Sequence, residues 1–266
     1  HKQEVEWERQ REEREKQAAE RAAQEEKERR PDGEDRPTLR LETLYAAGDE
    51  GMWVVPASLG WTLASTFFAQ VLGLDPSSGQ PRAQPCWQIG DQPLHVAAGL
   101  VFCHHNAPIT RIQRLARDLA ELAKAHDRGR SLLCYQVLES FDHIGRDLEG
   151  FRRERCPGGT MPSDFILPGD KFGPVAEAAS AIKSSLPRRQ LKRLALALHA
   201  EGAGARYARL VEQTMAELTS AGLDRPMAAL RACFGDGPAL WLHLDDLWDF
   251  LGTPVKSEKA TCAPGG

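Results

Sequence analysis

The hydrophobic pattern after the charged N-terminus predicts two β-strands joined by a short turn. In TLRLETLYA, residues 38–46, apolar and polar residues alternate, which is typical of a strand with one buried face. The run MWVVP, residues 52–56, is short, apolar and rich in β-forming residues, and it predicts a central strand that ends at its proline. The intervening AGDEG makes the unit a hairpin, with Asp49 and Glu50 at its tip.

The pattern then alternates between helix and strand. PASLGWTLASTFFAQVLG, residues 56–73, has apolar residues at helical spacing, and LHVAAGLVFC, residues 94–103, predicts a third strand. NAPITRIQRLARDLAELAKAHDRG, residues 106–129, predicts an amphipathic helix, and SLLCYQVLE, residues 131–139, predicts a fourth strand. This order favours an α+β fold: a ferredoxin-like or palm layer with an antiparallel sheet and a central hairpin, lacking that layer's first strand.

Pattern and composition together divide the chain into consecutive parts. Residues 1–36 are mainly Glu, Arg, Lys, Gln and Ala, and they predict a charged, solvated helix and a linker. The palm layer occupies residues 37–155, and residues 156–186 predict an irregular connection. Residues 187–252 contain helical patterns only, so we expect a small all-helical C-terminal domain there, followed by a flexible tail at 253–266.

Composition narrows the class of protein. The 266 residues are 41% hydrophobic and 27% charged, as in ordinary globular proteins, and the net charge of −4 gives no general sign of nucleic-acid binding. No apolar run approaches the ~18 residues of a membrane-spanning helix, and the charged N-terminus predicts no signal peptide. The six cysteines form no C-x-x-C pair. We therefore expect a cytoplasmic protein with reduced, partly buried thiols and no membrane contact.

Two adjacent carboxylates at the predicted hairpin tip are the first candidates for chemistry. Asp49 and Glu50 stand near the end of the sheet. Mg²⁺ prefers hard oxygen ligands, and it takes one or two carboxylates together with substrate phosphates. The small residues Ala47 and Gly48 leave space for a nucleotide close to the backbone. Gly and Asp are also standard turn residues, so these residues alone leave an ordinary turn and a metal site both open.

Two further groups lie at strand and helix ends. In FCHHNAPI, His104 and His105 lie where a strand runs into a helix, a frequent place for sheet-based sites. They equally suit a pair held by local hydrogen bonds, and we do not expect zinc because no third ligand lies nearby. Lys124, Arg128 and Arg130 follow at the end of the next helix. Basic residues suit a helix C-terminus, and they could also reach triphosphate oxygens.

Taken in order, these motifs resemble one family. The succession strand–AAGDE–strand–helix, strand–HHNAPI–helix, and GRSLLCYQVLES is similar to the second palm domain of the large, polymerase-like subunit of type III CRISPR effector complexes. In that family a GGDD hairpin is followed by a strand that ends in a segment like AHHKAPL. The resemblance covers residues 38–140. It implies a palm fold shared with GGDEF diguanylate cyclases and with nucleic-acid polymerases.

The resemblance implies a nucleotidyl cyclase. The family converts ATP into cyclic oligoadenylate in antiviral defence, by attack of a ribose 3′-hydroxyl on an α-phosphate with the help of two Mg²⁺ or Mn²⁺ ions. By this resemblance Asp49 and Glu50 are the catalytic and metal-binding pair. The resemblance also places a set of residues at or beside the nucleotide: Ala47, Gly48, His104, His105 and Lys124.

The resemblance also implies partners and leaves alternatives open. The partners are ATP, the other subunits of a type III CRISPR ribonucleoprotein complex, and RNA through an indirect contact. The family carries a further metal-binding aspartate on its first palm strand, whereas the upstream Asp32 and Asp35 of this chain lie in a predicted turn. One alternative is therefore a degenerate palm that acts as an interaction or scaffold module. The other is a GGDEF-like diguanylate cyclase that uses GTP.

Overall fold

The structure is a computed structural model that describes residues 41–83, 86–138 and 148–252. Its secondary structure is a mixture of helices and strands, so the α+β class predicted from the sequence is confirmed. The helix predicted at 1–36 and the tail predicted at 253–266 lie outside the described residues. Within the described part, no helix combines the length and the apolar character that a membrane crossing requires.

The first element is the predicted hairpin. Strands β1 (Glu42–Ala47) and β2 (Glu50–Val54) pair antiparallel and form a two-stranded sheet of their own. Gly48, the first of the two loop residues, has a φ of 62°, which a two-residue hairpin loop favours and which glycine adopts without strain. The register shifts between Thr43 and Tyr45, so one extra residue bulges out of β1.

Two elements lead from this hairpin to the main sheet. Helix α1 (Ala57–Leu72) begins directly after Pro56, and a glycine in the left-handed conformation ends it. A second, smaller hairpin follows, in which β3 (Gln88–Ile89) pairs antiparallel with β4 (Gln92–Pro93). The second hairpin is also a sheet of its own.

Within the described residues, the main sheet has three strands in the order β5 (Ala97–Phe102), β6 (Leu132–Val137) and β7 (Ile166–Pro168). It differs from the predicted antiparallel layer, because β5 and β6 are parallel and only β7 runs antiparallel to β6. Helix α2 (Ile109–His126) connects β5 to β6 as a crossover, and a crossover brings consecutive strands into parallel pairing. In the part of the chain that the structure describes, the first hairpin forms no ladder with this sheet, so it is not central in it.

The remaining elements are helical, and the helical patterns predicted after residue 187 are present. Segment 156–186 was expected to be irregular, yet it contains strand β7 and one helix of eleven residues. The helices of the C-terminal half are α3 (Leu148–Arg155), α4 (Val175–Ser185), α5 (Arg188–Glu201), α6 (Ala205–Ser220), α7 (Asp224–Phe234) and α8 (Ala239–Leu247).

The two faces of the main sheet bury different sets of side chains. On one face Leu132 and Cys134 pack against α2 through Leu119 and its neighbours. On the other face Leu133 and Tyr135 join the larger cluster, which includes side chains of α1 and of the C-terminal helices. Successive residues of β6 therefore serve opposite layers, as the pleat of a strand requires. The sheet and the C-terminal helices share one core.

Helix α2 lies unusually close to β5. A Cβ added at Gly99 would collide with the carbonyl oxygen of Ala116 and would lie 2.9 Å from the amide nitrogen of Ala120. Glycine at this position lets the helix backbone approach the strand, which no larger residue would allow. This close packing sets the distance between α2 and the sheet.

The first hairpin is held between α1 and α2. Trp53 of β2 lies 6.2 Å from Phe67 of α1, measured between ring centroids. On the other face, the guanidinium of Arg117 on α2 lies 5.6 Å from the ring centroid of Tyr45. Gly51 leaves room for the indole, because a Cβ there would lie 2.7 Å from Cζ2 of Trp53. The helices that pack on the main sheet therefore also position the hairpin.

Candidate functional site

The hairpin tip brings four of the predicted residues together. Ala47 ends β1 and lies opposite Glu50, the first residue of β2, and Gly48 and Asp49 form the loop between them. All four residues are exposed. The two carboxylates are therefore adjacent and open to solvent, with small residues on the side where the chain enters the turn.

Tyr45 joins this group, although the sequence pattern did not single it out. Its hydroxyl donates a hydrogen bond to Oε2 of Glu50 at 2.7 Å. The bulge makes the contact possible, because it places Tyr45 opposite Met52 and therefore on the same face as Glu50. The hydrogen bond to Glu50 raises the pKa of Tyr45 above its usual value of 10.0. The phenol is therefore protonated at neutral pH and remains a hydrogen-bond donor.

Arg117 is the second residue that the sequence pattern missed. Its guanidinium lies over the ring of Tyr45, in a cation–π contact. Its positive charge lowers the pKa of Tyr45, whereas the charge of Asp49 raises it. Arg117 has no carboxylate within salt-bridge distance among the residues that the structure describes. One exposed cation thus lies over the ring of the tyrosine that hydrogen-bonds to Glu50.

The other predicted site residues make local contacts. His104 Nδ1 lies 2.8 Å from Oδ1 of Asn106, and the rings of His104 and His105 lie 4.3 Å apart. Lys124 Nζ lies 3.5 Å from Oε1 of Glu121 on the same helix. In the described ranges, no hydrogen bond or ion pair joins these three side chains to the carboxylates of the tip. Their assignment to the nucleotide stays a prediction from the resemblance.

The donor set of the tip fits a divalent cation that arrives with a phosphate group. No cluster of three or more His, Cys, Asp and Glu side chains able to hold a metal ion occurs within the described residues. Mg²⁺ at nucleotide sites, however, is held by one or two carboxylates, and water and phosphate oxygens complete its shell. The carboxylate of Asp49 and Oε1 of Glu50 accept no hydrogen bond from any described residue, so they are available as ligands.

A second polar cluster lies deep in the core and is structural. The hydroxyl of Tyr135 lies 2.7 Å from Nδ1 of His243, and Nε2 of His243 lies 3.0 Å from the backbone oxygen of Asp164. Because the backbone oxygen can only accept, Nε2 carries the proton and Nδ1 accepts from the tyrosine. Burial lowers the pKa of His243 to about 4, so the ring is neutral. The cluster connects β6 to α8 and is closed to solvent.

Four of the described cysteines have thiols that burial makes less acidic. None of the described cysteines is in a disulfide. Burial raises the pKa of the thiols of Cys103, Cys134, Cys156 and Cys233. These thiols are therefore protonated at neutral pH, and a protonated thiol is a poor nucleophile.

Comparisons of the chain with protein-family models, with curated proteins and with solved structures gave no match. We therefore argue its function from its residues and their geometry. The similarity to the CRISPR palm domain stays a prediction carried by the motifs quoted above.

Proposed function

We propose that the tip of the first hairpin binds a divalent cation and a nucleoside triphosphate. We propose further that the chain is a palm-type nucleotidyl cyclase that converts ATP into cyclic oligoadenylate. The observation that carries the proposal is the exposed pair of carboxylates, Asp49 and Glu50, on a glycine turn with Tyr45 and Arg117 beside it.

The residues of the tip have separate tasks in this proposal. Asp49 and Glu50 supply oxygen ligands for Mg²⁺ or Mn²⁺. When bound, the ions supply charge stabilisation for the attacking 3′-hydroxyl oxygen and the departing pyrophosphate oxygen of the in-line displacement. Gly48 presents open space, since a Cβ there would meet no atom within 4 Å, and the sugar or base can approach the backbone at this point.

ATP, the CRISPR setting and the partner subunits enter the proposal from the sequence resemblance. The proposed complex is a type III ribonucleoprotein in which other subunits contact RNA and this chain contacts it indirectly. A diguanylate cyclase would use the same acidic pair but would take GTP. The two cyclase hypotheses therefore differ in the nucleobase of the substrate, adenine or guanine.

Product analysis tests the proposal. The chain is incubated with ATP or with GTP in the presence of Mn²⁺, and products are separated by anion-exchange chromatography. We expect oligoadenylate from ATP, and none from the Asp49→Ala/Glu50→Ala variant, whose circular dichroism spectrum should match the wild type. Turnover of GTP alone would favour the diguanylate cyclase. Equal turnover of ATP by the variant would refute the assignment of the tip.

A scaffold role is the second candidate, and exposed apolar residues favour it. Trp87, directly before β3, is 52% exposed, and Ile89 of β3 is 71% exposed. The rings of Trp53, Phe67 and Trp87 follow one another at centroid distances of 6.2 and 6.4 Å. A contiguous exposed apolar patch often marks a protein interface. A chain that assembles with its partner subunits but turns over neither nucleotide would support this role.

A further inference from the structure

Tyr45 is placed to control the orientation of Glu50. Within the described part of the chain, it is the only side chain that hydrogen-bonds to a tip carboxylate, and it takes Oε2 and leaves Oε1 free. An exposed glutamate samples several rotamers, and a hydrogen bond from a fixed donor reduces that freedom. Hydrogen bonds to metal-binding carboxylates orient them, and their loss typically weakens metal binding about 10- to 100-fold.

Tyr45 is itself fixed from two sides. The bulge in β1 sets the face on which its ring lies, opposite Met52. The guanidinium of Arg117 covers the ring at 5.6 Å. A continuous contact path therefore runs from helix α2 through the phenol to the carboxylate of Glu50. The position of the Glu50 carboxylate therefore depends on α2, which packs closely on the main sheet.

Arg117 differs from the neighbouring arginine on the same helix. Arg114 lies one turn earlier and pairs with Asp118, with 3.8 Å between Nε and Oδ2. Arg117 makes no such pair, and its guanidinium forms no hydrogen bond with any residue that the structure describes. The N–H donors of a guanidinium match the oxygens of a phosphate group in a bidentate arrangement. Lys124, which the resemblance places beside the nucleotide, lies 3.5 Å from Glu121, measured from Nζ to Oε1.

We propose that Tyr45 positions Glu50 as a cation ligand and that Arg117 binds the phosphates of the nucleoside triphosphate. This inference rests on the proposed function of the tip and deepens it. The two roles are separable, because one acts on the cation and the other on the anion. Tyr45 is a positioning residue, whereas Arg117 touches the nucleotide.

Two binding measurements on the whole chain test the inference. Titration with Mn²⁺ alone reports the cation site, and titration with ATP at saturating Mn²⁺ reports the phosphate contacts. We expect Tyr45→Phe to weaken Mn²⁺ binding about tenfold. Arg117→Ala also uncovers the ring of Tyr45, so we expect it to weaken Mn²⁺ binding, but less than Tyr45→Phe does. We expect it to weaken ATP binding by about a further tenfold, the loss of a charged hydrogen bond. Arg114→Ala is the matched control and should change neither.

The outcomes separate this inference from the proposed function. If the wild type binds neither Mn²⁺ nor ATP, the proposed function fails and the inference fails with it. If the wild type binds both, and Tyr45→Phe and Arg117→Ala bind both equally well, only the inference is overturned. A parallel loss of melting temperature and of both ligands in both variants would identify a structural clamp and would also overturn it. Arg117→Lys keeps the charge and should restore part of the ATP affinity.

Discussion

The two small hairpins of this chain have the same turn but different surroundings. Residues 48–50 read Gly-Asp-Glu, and residues 90–92 read Gly-Asp-Gln. In each hairpin the glycine and the aspartate form a two-residue loop, and the φ of the glycine is 62°. The Gly-Asp pair is therefore explained by turn formation in both places.

The difference lies in what surrounds each turn. In the first hairpin Glu50 accepts a hydrogen bond from Tyr45, and Arg117 lies over that tyrosine. In the second, neither Asp91 nor Gln92 forms a side-chain hydrogen bond or ion pair with any residue that the structure describes. A turn needs glycine and aspartate, but it does not need the glutamate, the phenol and the guanidinium. These three groups are the part of the first hairpin that calls for a functional explanation.

The largest expected effect is on the free energy of unfolding, and it comes from His243 in the core. The pKa of His243 falls from 6.5 to about 4 on folding because the ring is buried. As the pH is lowered, the unfolded chain therefore takes up a proton at this residue at a higher pH than the folded chain does. Stability from this group is therefore complete above about pH 6.5 and is lost as the pH falls to about 4, by about 3 kcal/mol. Urea unfolding across this range should show the slope.

The variant His243→Gln sharpens that measurement. It should flatten the dependence of the unfolding free energy on pH between about 4 and 6.5. His126→Gln is the control, since His126 is exposed at the end of α2. An unchanged slope in His243→Gln would mean that another group causes the acid sensitivity.

The second prediction makes the first hairpin resemble the other one. Glu50→Gln converts its turn to Gly-Asp-Gln, with the same residue types as positions 90–92. The amide keeps the shape of the side chain but removes its charge, so we expect binding of ATP in Mn²⁺ to fall about tenfold or more. Titration calorimetry measures it, with Gln92→Ala as the control. Wild-type affinity in Glu50→Gln would remove the distinction between the two turns.

The smallest effect tests what the two hairpins have in common. Gly48→Ala and Gly90→Ala each force an L-residue into a left-handed conformation, which costs roughly 1 kcal/mol. Neither glycine has an atom within 4 Å of an added Cβ, so no steric clash adds to this cost. Denaturant unfolding should give nearly equal losses. A much larger loss at one position would show that its turn has a further structural role.

Local elements of the fold could be predicted from the sequence, but their pairing could not. Helices α1 and α2 and strands β5 and β6 follow from hydrophobic periodicity, which reports local structure directly. The separation of the first hairpin from the main sheet depends on contacts between distant segments, which periodicity does not report. Helix α4 was missed because prolines and glycines precede it and dominate the pattern of segment 156–186.

The candidate site likewise has a part that the sequence predicts and a part that it does not. Asp49 and Glu50 could be proposed from the sequence because both lie in one short turn. The contact of Tyr45 with Glu50 depends on a one-residue bulge, and simple alternation would place Tyr45 on the same face as Thr43 instead. The position of Arg117 depends on how α2 packs beside the hairpin. A tyrosine five residues before a turn glutamate is the only signal that the sequence offered.

Binding of ATP in the presence and absence of Mn²⁺ tests the central claim most directly. The wild type is compared with Asp49→Ala/Glu50→Ala and with the matched variant of the second hairpin, Asp91→Ala/Gln92→Ala. We expect Mn²⁺-dependent binding by the wild type and by the second-hairpin variant, and its loss in the first-hairpin variant. Equal binding by all three proteins, or no Mn²⁺-dependent binding by the wild type, would contradict a nucleotide site at the first hairpin.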